Sequence, residues 1–197
     1  MGSPIIGLGA EVTAIVDEYR HTADVPRLLE RLDLVAARAT SAEELMLAVK
    51  PYLEMHEVAG PIYERVIERD PNNAQALVIL ANAYWLTGRG GDVVGDLASR
   101  ALAIDPANRG AWHLWALSEG VPRTRLQRWQ QVVARFPDDD LAKATMADNA
   151  AGIGASEDDP AAMQLALDTF KELRARATRP EQRNALDEAI TALSKRR

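Results

Sequence analysis

The sequence predicts an all-α protein of about ten or eleven helices, built as a series of repeated helical hairpins. Apolar residues recur at spacings of three and four along most of the 197 residues, and no alternating apolar–polar run indicates a strand. Three similar helical segments end at Pro71, Pro106 and Pro137, at intervals of 35 and 31 residues. An interval of roughly 34 residues that contains two helices is typical of a repeat protein.

The N-terminal part is interpreted as three helices. Residues 10–21 carry apolar side chains at helical spacing, and a second helix is expected to begin at Asp24, whose side chain can cap free N–H groups. A third begins at Ser41, where Ser41 and Glu44 form a capping-box pair: the hydroxyl accepts from a free N–H and the carboxylate reaches back. Pro51 is expected to interrupt this helix, because proline lacks the N–H and clashes with the preceding turn.

Three segments of the central part end alike, at residues 63–71, 98–106 and 129–137. Each carries an apolar pair three and four positions after its first residue and ends in a proline. Because proline cannot continue the helix before it, these positions separate successive hairpins. Asn73 and Asn108 follow two of these prolines and are suited to cap the next helix.

The C-terminal residues 140–197 are interpreted as further hairpins with less regular spacing. Helices are expected to begin at Asp159, which precedes a proline, and at Thr178, which is followed by Pro180 and Glu181. The final helix is expected to run from about Pro180 to Lys195, with three apolar residues on one side: Leu186, Ile190 and Leu193.

One unit, residues 74–106, carries large and small side chains in a fixed order: Leu77, Leu80, Ala81, Tyr84, Gly88, Ala101 and Pro106. In this order it resembles the tetratricopeptide repeat. The next unit matches at Trp112, Ala116, Trp129, Val132 and Pro137, and the preceding one at Ala59, Tyr63, Val66, Ile67 and Pro71. The resemblance covers residues 57–137 and implies a solenoid of tetratricopeptide-like helical hairpins.

The resemblance divides the chain into three parts. Residues 1–40 are expected to form an N-terminal helical cap, and residues 41–137 the repeats. Residues 138–197 are expected to form degenerate hairpins and a capping helix. Irregular ends are consistent with a one-dimensional stack, whose terminal units must present a polar outer face.

The sequence offers no catalytic or metal-binding pattern. Cysteine is absent, which removes thiol nucleophiles and Cys-ligated metals. The histidines are far apart and none has a second ligand-type residue at metal-binding spacing: His21, His56 and His113. The acidic runs at 138–140 and 157–159 precede helices, so capping explains them better than calcium binding. We therefore expect no enzyme activity, no metal and no cofactor.

Charge and hydropathy restrict the partners. With 23 basic and 29 acidic residues the net charge is -6, so the chain lacks the positive field that attracts nucleic acid. No apolar run approaches the roughly 20 residues that cross a bilayer. The expected compartment is the cytoplasm, or the periplasm if a signal peptide preceded this sequence. Met1-Gly2-Ser3 is either native or a cloning remnant.

The candidate binding residues lie on the first helix of the best-matching unit. Four of them are three or four positions apart and therefore share one helical face, which the resemblance places in a concave groove beside a residue of the next repeat. The five predicted groove residues are Gln75, Val78, Asn82, Trp85 and His113. In the alternative interpretation, Trp85 packs against residues 50–56 or against the first helix of the next unit.

The groove is not predicted to clamp an acidic C-terminal tail. In the best-known groove mode of the family, Lys, Arg and Asn side chains hold a terminal carboxylate. Here only Asn82 stands at a matching place, while Val78 and Leu117 occupy the positions of a clamp Lys and Asn. Without the cations the main charge-assisted hydrogen bonds are lost. A more apolar groove suits a helix or extended segment with its own apolar anchors.

These observations predict a non-enzymatic adaptor or scaffold that binds a segment of another protein. Two other interpretations stay open. The Trp-rich helix followed by residues 128–137 resembles the repeat region of bacterial cytochrome c maturation proteins, which implies a periplasmic domain that holds an apocytochrome segment. Alternatively, the stack is a structural subunit of a larger complex or assembles with copies of itself.

Overall fold

The computed structural model describes residues 7–195, so the question about Met1-Gly2-Ser3 lies outside the described residues. Residues 7–195 contain no strand and, besides a short 3-10 turn at Lys50–Tyr52, form eleven α-helices. The helices are α1 (Leu8–Thr22), α2 (Val25–Arg38), α3 (Ala42–Val49), α4 (His56–Arg69), α5 (Ala74–Leu86), α6 (Gly91–Ile104), α7 (Arg109–Leu117), α8 (Pro122–Arg135), α9 (Asp140–Ser156), α10 (Pro160–Arg176) and α11 (Pro180–Ser194). The all-α prediction of ten or eleven helices is confirmed.

Side-chain caps fix most of the predicted helix starts. Asp24 Oδ1 accepts from the N–H of Arg27 at 3.1 Å, and Asn73 Oδ1 accepts from the N–H of Ala76 at 2.9 Å. Asn108 and Asp159 cap α7 and α10 in the same way, as predicted. These local bonds satisfy N–H groups that have no partner inside the helix.

Two details of the predicted helix starts are wrong. The carboxylate of Glu44 accepts from the N–H and Oγ1 of Thr40, at 2.8 and 2.9 Å, instead of reaching back to Ser41. Ser41 itself caps α3 as predicted, accepting from the N–H of Glu44. At the last helix, Thr178 makes no cap, because α11 begins after Arg179 and no side-chain hydrogen bond closes that end.

The described residues form two compact units, 7–114 and 115–195, and the division falls inside α7. In the first unit α1 packs against α2 and α3, α4 packs against α2, α3 and α5, and α5 packs against α6. Its largest fully buried side chains include Leu32, Leu45, Ile62, Leu77 and Leu80. Pro51 interrupts the third helix as predicted, since α3 ends at Val49 and a 3-10 turn follows.

In the second unit α9 packs against α8 and α10, and α10 packs against α11. Gly154 of α9 lets the first turn of α10 approach closely, because a Cβ there would lie 3.0 Å from the backbone nitrogen of Met163. Lys143 is buried on the same helix, and its ammonium pairs with Glu172 of α10. The division into 1–40, 41–137 and 138–197 stays a prediction.

Candidate protein-binding face on helix α5

One side of α5 is committed to packing within the first unit. Its buried residues are Ala76, Leu77, Leu80, Ala81 and Ala83. Next to them, Tyr84 donates its hydroxyl proton to Glu64 Oε1 at 2.6 Å, while the guanidinium of Arg89 lies 5.2 Å from the ring centroid. Burial, reinforced by the hydrogen bond to Glu64, raises the pKa of Tyr84 to about 12. The phenol therefore stays neutral and fixes α5 against α4.

The opposite side of α5 carries the predicted binding residues. Gln75 and Asn82 are exposed, and Val78 is half-buried. Trp85 keeps 38% of its surface exposed, whereas its neighbour Tyr84 is half-buried. Because successive helical residues point about 100° apart, the two rings face different directions. The structure thus brings four of the five predicted residues onto one side of α5.

The fifth predicted residue, His113, lies on α7, which approaches this side of α5. A Cβ at Gly110 would lie 3.1 Å from Cγ1 of Val78, so the lack of a side chain lets the helices come this close. His113 is half-buried and follows Gly110 by three positions, on the same side of α7. The contact of α7 with Val78 therefore places His113 on the side of α7 that faces α5.

Leu86 was not among the predicted binding residues. This residue follows Asn82 by four positions, so it stands one turn further along the same side of α5. It is 56% exposed, more than Trp85. Its spacing from Asn82 was the signal that could have identified it. We use "α5 face" below for Gln75, Val78, Asn82, Trp85 and Leu86.

The α5 face combines apolar area with amides and carries no charged side chain. The amides of Gln75 and Asn82 can each donate and accept hydrogen bonds. Trp85 and Leu86 offer exposed apolar surface beside them. Such a surface can bind a backbone through its amides and an apolar side chain through its ring, but it provides no strong acid or base.

The other three tryptophans lie on α7 and α8. Trp129 is buried, whereas Trp112 and Trp115 are half-buried. The indole N–H of Trp112 donates to the carbonyl of Pro106 at 2.9 Å. The guanidinium of Arg128 lies 4.6 Å from the ring centroid of Trp115 and donates to its carbonyl at 2.7 Å. Both half-buried rings thus take part in local structure at the two ends of α7.

The described part of the chain contains no cluster of three or more His, Asp or Glu side chains that could hold a metal ion. None of the helices in residues 7–195 is both long and apolar enough to cross a membrane. The surroundings of two further histidines are simple. His21 is exposed, with its Nδ1 2.6 Å from the carbonyl oxygen of Asp17, and His56 is half-buried.

No protein-family model and no curated protein matches the sequence. Solved structures do match over most of the chain. A crystal structure of MamA is 19% identical with a TM-score of 0.61, covering 88% of this chain and 98% of MamA. TTC0263, a thermophilic TPR protein of Thermus thermophilus, is 14% identical with a TM-score of 0.58, covering 93% and 99% of the two chains. YrrB, a TPR protein with an unusual peptide-binding site, is 15% identical with a TM-score of 0.56, covering 81% and 84%.

These matches confirm the resemblance that the sequence carries. The chain has a tetratricopeptide-like fold of sequential helical hairpins. At identities of 19% and below, the likeness extends to the fold alone.

Proposed function

We propose that this chain is a non-enzymatic adaptor or scaffold that binds a segment of another protein on the α5 face, with His113 at its edge. The tetratricopeptide fold generally mediates binding between proteins. The observation that carries the proposal is the exposed ring of Trp85 one turn from the exposed amide of Asn82. Aromatic residues of this kind are enriched where proteins bind each other.

The residues of the α5 face contribute in three ways to the proposed binding. Trp85 and Leu86 supply rigid or compact apolar area, which loses little conformational entropy on binding. The amides of Asn82 and Gln75 hydrogen-bond to the partner's backbone and thereby fix its register. Val78 contacts α7 at Gly110 and forms the apolar floor between the two helices.

The absence of charge on this face selects the partner's chemistry. An acidic tail would find no cation on the α5 face, so its desolvated carboxylates would stay uncompensated. A segment with one or two apolar anchors would instead bury those anchors against Trp85 and Leu86 and release water from both surfaces. Peptide binding by the similar fold of YrrB supports the choice of an extended or helical segment, as an analogy between folds only.

Photo-crosslinking tests this proposal directly. A benzophenone amino acid placed at Asn82 should crosslink a partner protein in cells of the source organism. The same group placed at Ser99, an exposed residue of α6 that is not part of the α5 face, is the matched control. A product that forms from position 82 and not from position 99, and that maps to one segment of the partner, is the expected result. Identical products from both positions would show that the α5 face is not the binding surface.

The structural-subunit interpretation also has an observation in its favour. Leu47 on α3 is 72% exposed and Leu141 on α9 is 66% exposed, so apolar area is available outside the α5 face. Light scattering separates the two interpretations. Self-assembly predicts a mass well above 21.5 kDa at micromolar concentration, whereas an adaptor that binds other proteins is expected to remain near that mass.

A further inference from the structure

A surface cavity of about 350 Å³ lies in the second unit, where the start of α8 meets the last turns of α9. Pro122 and Arg125 of α8 form one wall. The other wall comprises Asp148, Gly152 and Ile153 of α9, among others. Asn149 and Ser156 complete the lining, so the cavity offers polar and apolar surface together with one carboxylate and one guanidinium.

The carboxylate of Asp148 makes no hydrogen bond or ion pair with any of the residues that the structure describes. The residue is exposed, so its carboxylate can be reached from the open side of the cavity. Partial burial by the surrounding atoms nevertheless raises the pKa of its carboxyl above the ordinary value, and no neighbouring cation counteracts that effect. The exposed carboxylate is solvated, and a cation that entered the cavity would pair with it in place of water.

The cation already on the wall has other partners. Arg125 donates from Nε to Asn149 Oδ1 at 2.7 Å and from Nη1 to the carbonyl of Glu119 at 3.1 Å. These two bonds hold its guanidinium against the turn that precedes α8 and the side of α9. Arg125 therefore shapes the cavity and leaves Asp148 uncompensated.

Gly152 keeps the cavity open. A Cβ at this position would meet nothing within 4 Å, so no packing within the described chain requires a glycine there. Glycine is less favourable than alanine inside a helix, and α9 uses alanine at the neighbouring positions 150 and 151. Gly152 follows Asp148 by four residues and lies on the same side of α9, so its lack of a side chain leaves space beside the carboxylate.

Asp148 also occupies a meaningful position in the repeat. Asn73 and Asp139 cap α5 and α9, and Asp148 follows its cap by nine residues, as Asn82 follows Asn73. The position that displays an amide on the α5 face therefore displays a carboxylate on α9. The second unit thus carries a negatively charged side chain at the position where the first unit carries the neutral amide of Asn82.

We propose that this cavity receives the guanidinium group of an arginine side chain from a protein partner, paired with the carboxylate of Asp148. A planar guanidinium can donate to both carboxylate oxygens at once, which a lysine ammonium cannot do with the same geometry. Its methylene groups pack against Pro122 and the surface left open at Gly152, as arginine stems commonly do on apolar surfaces. The inference does not depend on the α5 face, because it involves other residues and another unit.

Nuclear magnetic resonance of the full chain tests the inference, with Nα-acetyl-arginine amide as the probe. The backbone amides of Asn149 and Gly152 should show saturable shifts. The carboxyl pKa of Asp148 should fall when the probe is present, because binding favours the charged form. The uncharged control Nα-acetyl-norleucine amide, which has an apolar stem but no guanidinium, should produce neither effect.

Three variants complete the experiment. Asp148→Asn should weaken probe binding by about twofold to fivefold, the loss of a pair between solvent-exposed charges. Gly152→Leu should abolish it by filling the cavity, and the open space around Gly152 allows the variant to fold. Asp168→Asn, at an exposed carboxylate of α10, should bind as the parent does. Absence of saturable shifts in the parent, or unchanged affinity in either cavity variant, would overturn the proposal.

Discussion

Two glycines of α9 give opposite predictions for the same substitution. Gly152 and Gly154 both lie inside one helix, two residues apart. A Cβ at Gly152 would meet nothing within 4 Å. A Cβ at Gly154 would lie 3.0 Å from the nitrogen of Met163 and 3.2 Å from the carbonyl oxygen of Asp159. Gly154→Ala should therefore destabilise the protein, and Gly152→Ala should stabilise it.

The magnitudes follow from two competing effects. Alanine is favoured over glycine in a helix interior by about 1 kcal/mol, so Gly152→Ala should gain about 0.5–1 kcal/mol. At Gly154 the same gain is opposed by overpacking, which costs about 1–3 kcal/mol. The atoms in the way belong to the backbone of the first turn of α10, so they cannot rotate aside as a side chain would. We expect a net loss of about 1–2 kcal/mol for Gly154→Ala.

Urea unfolding of the parent and both variants, followed by helical circular dichroism, measures the difference. The midpoints should move in opposite directions with an unchanged dependence on urea, because the exposed surface on unfolding stays the same. Gly152→Ala controls for helix propensity, since both variants make the same chemical change. A Gly154→Ala protein as stable as Gly152→Ala would refute the close packing of α9 against α10.

Three further measurements test packing and ionisation. Ala101 is fully buried between repeat helices. Ala101→Trp should therefore lower the free energy of unfolding, measured with denaturant, by about 1–3 kcal/mol or more. A variant as stable as the parent would show that the repeat register is wrong. Tyr84 should ionise at about pH 12 in a tyrosinate absorbance titration, and Glu64→Gln should lower that pKa by removing the carboxylate acceptor. Because the pKa of Tyr84 in the folded protein lies above the ordinary 10.0, the stabilisation is retained below pH 10 and falls as the pH rises towards 12. If Tyr84 ionised at the ordinary value in the titration, the contact with Glu64 would be disproved. The hydrogen bond from Lys143 holds the pKa of Glu172 below its ordinary 4.5, so stability is present above that pH and is lost as the pH falls through the lowered value. Glu172→Gln should reduce this acid sensitivity, and an unchanged acid-unfolding profile would exclude the pair as its source.

The sequence predicted the helices well because their signals are local. Asp24, Asn73 and Asp159 cap the helices that their positions indicated, since a side chain needs only the next two or three N–H groups to act as a cap. Pro51 ends α3 for an equally local reason. The error at Glu44 is a shift of one residue, because the hydroxyl and the N–H of Thr40 both donate to its carboxylate in place of the N–H of Ser41.

The exposed residues of the proposed binding face were predicted less completely, because exposure depends on the packing of several helices. The periodicity of α5 separated Asn82 from the buried Leu80 and Ala81. It did not show that Leu86 is more exposed than Trp85, since that depends on what packs near the end of the helix. The uncompensated Asp148 had no sequence signal, because its state depends on the partners that Arg125 takes in the turn before α8 and on α9.

The central claim is that Trp85 binds a partner segment, and calorimetric titration of that segment tests it most directly. Trp85→Ala should weaken binding by about 2 kcal/mol, or about 30-fold, as a hot-spot residue does. Val93→Ala, a similarly exposed apolar residue on α6, should bind as the parent does. The unfolding free energy of Trp85→Ala should fall by less than the roughly 3–5 kcal/mol typical of a buried aromatic residue. Unchanged affinity in Trp85→Ala, or an equal loss in Val93→Ala, would contradict the claim.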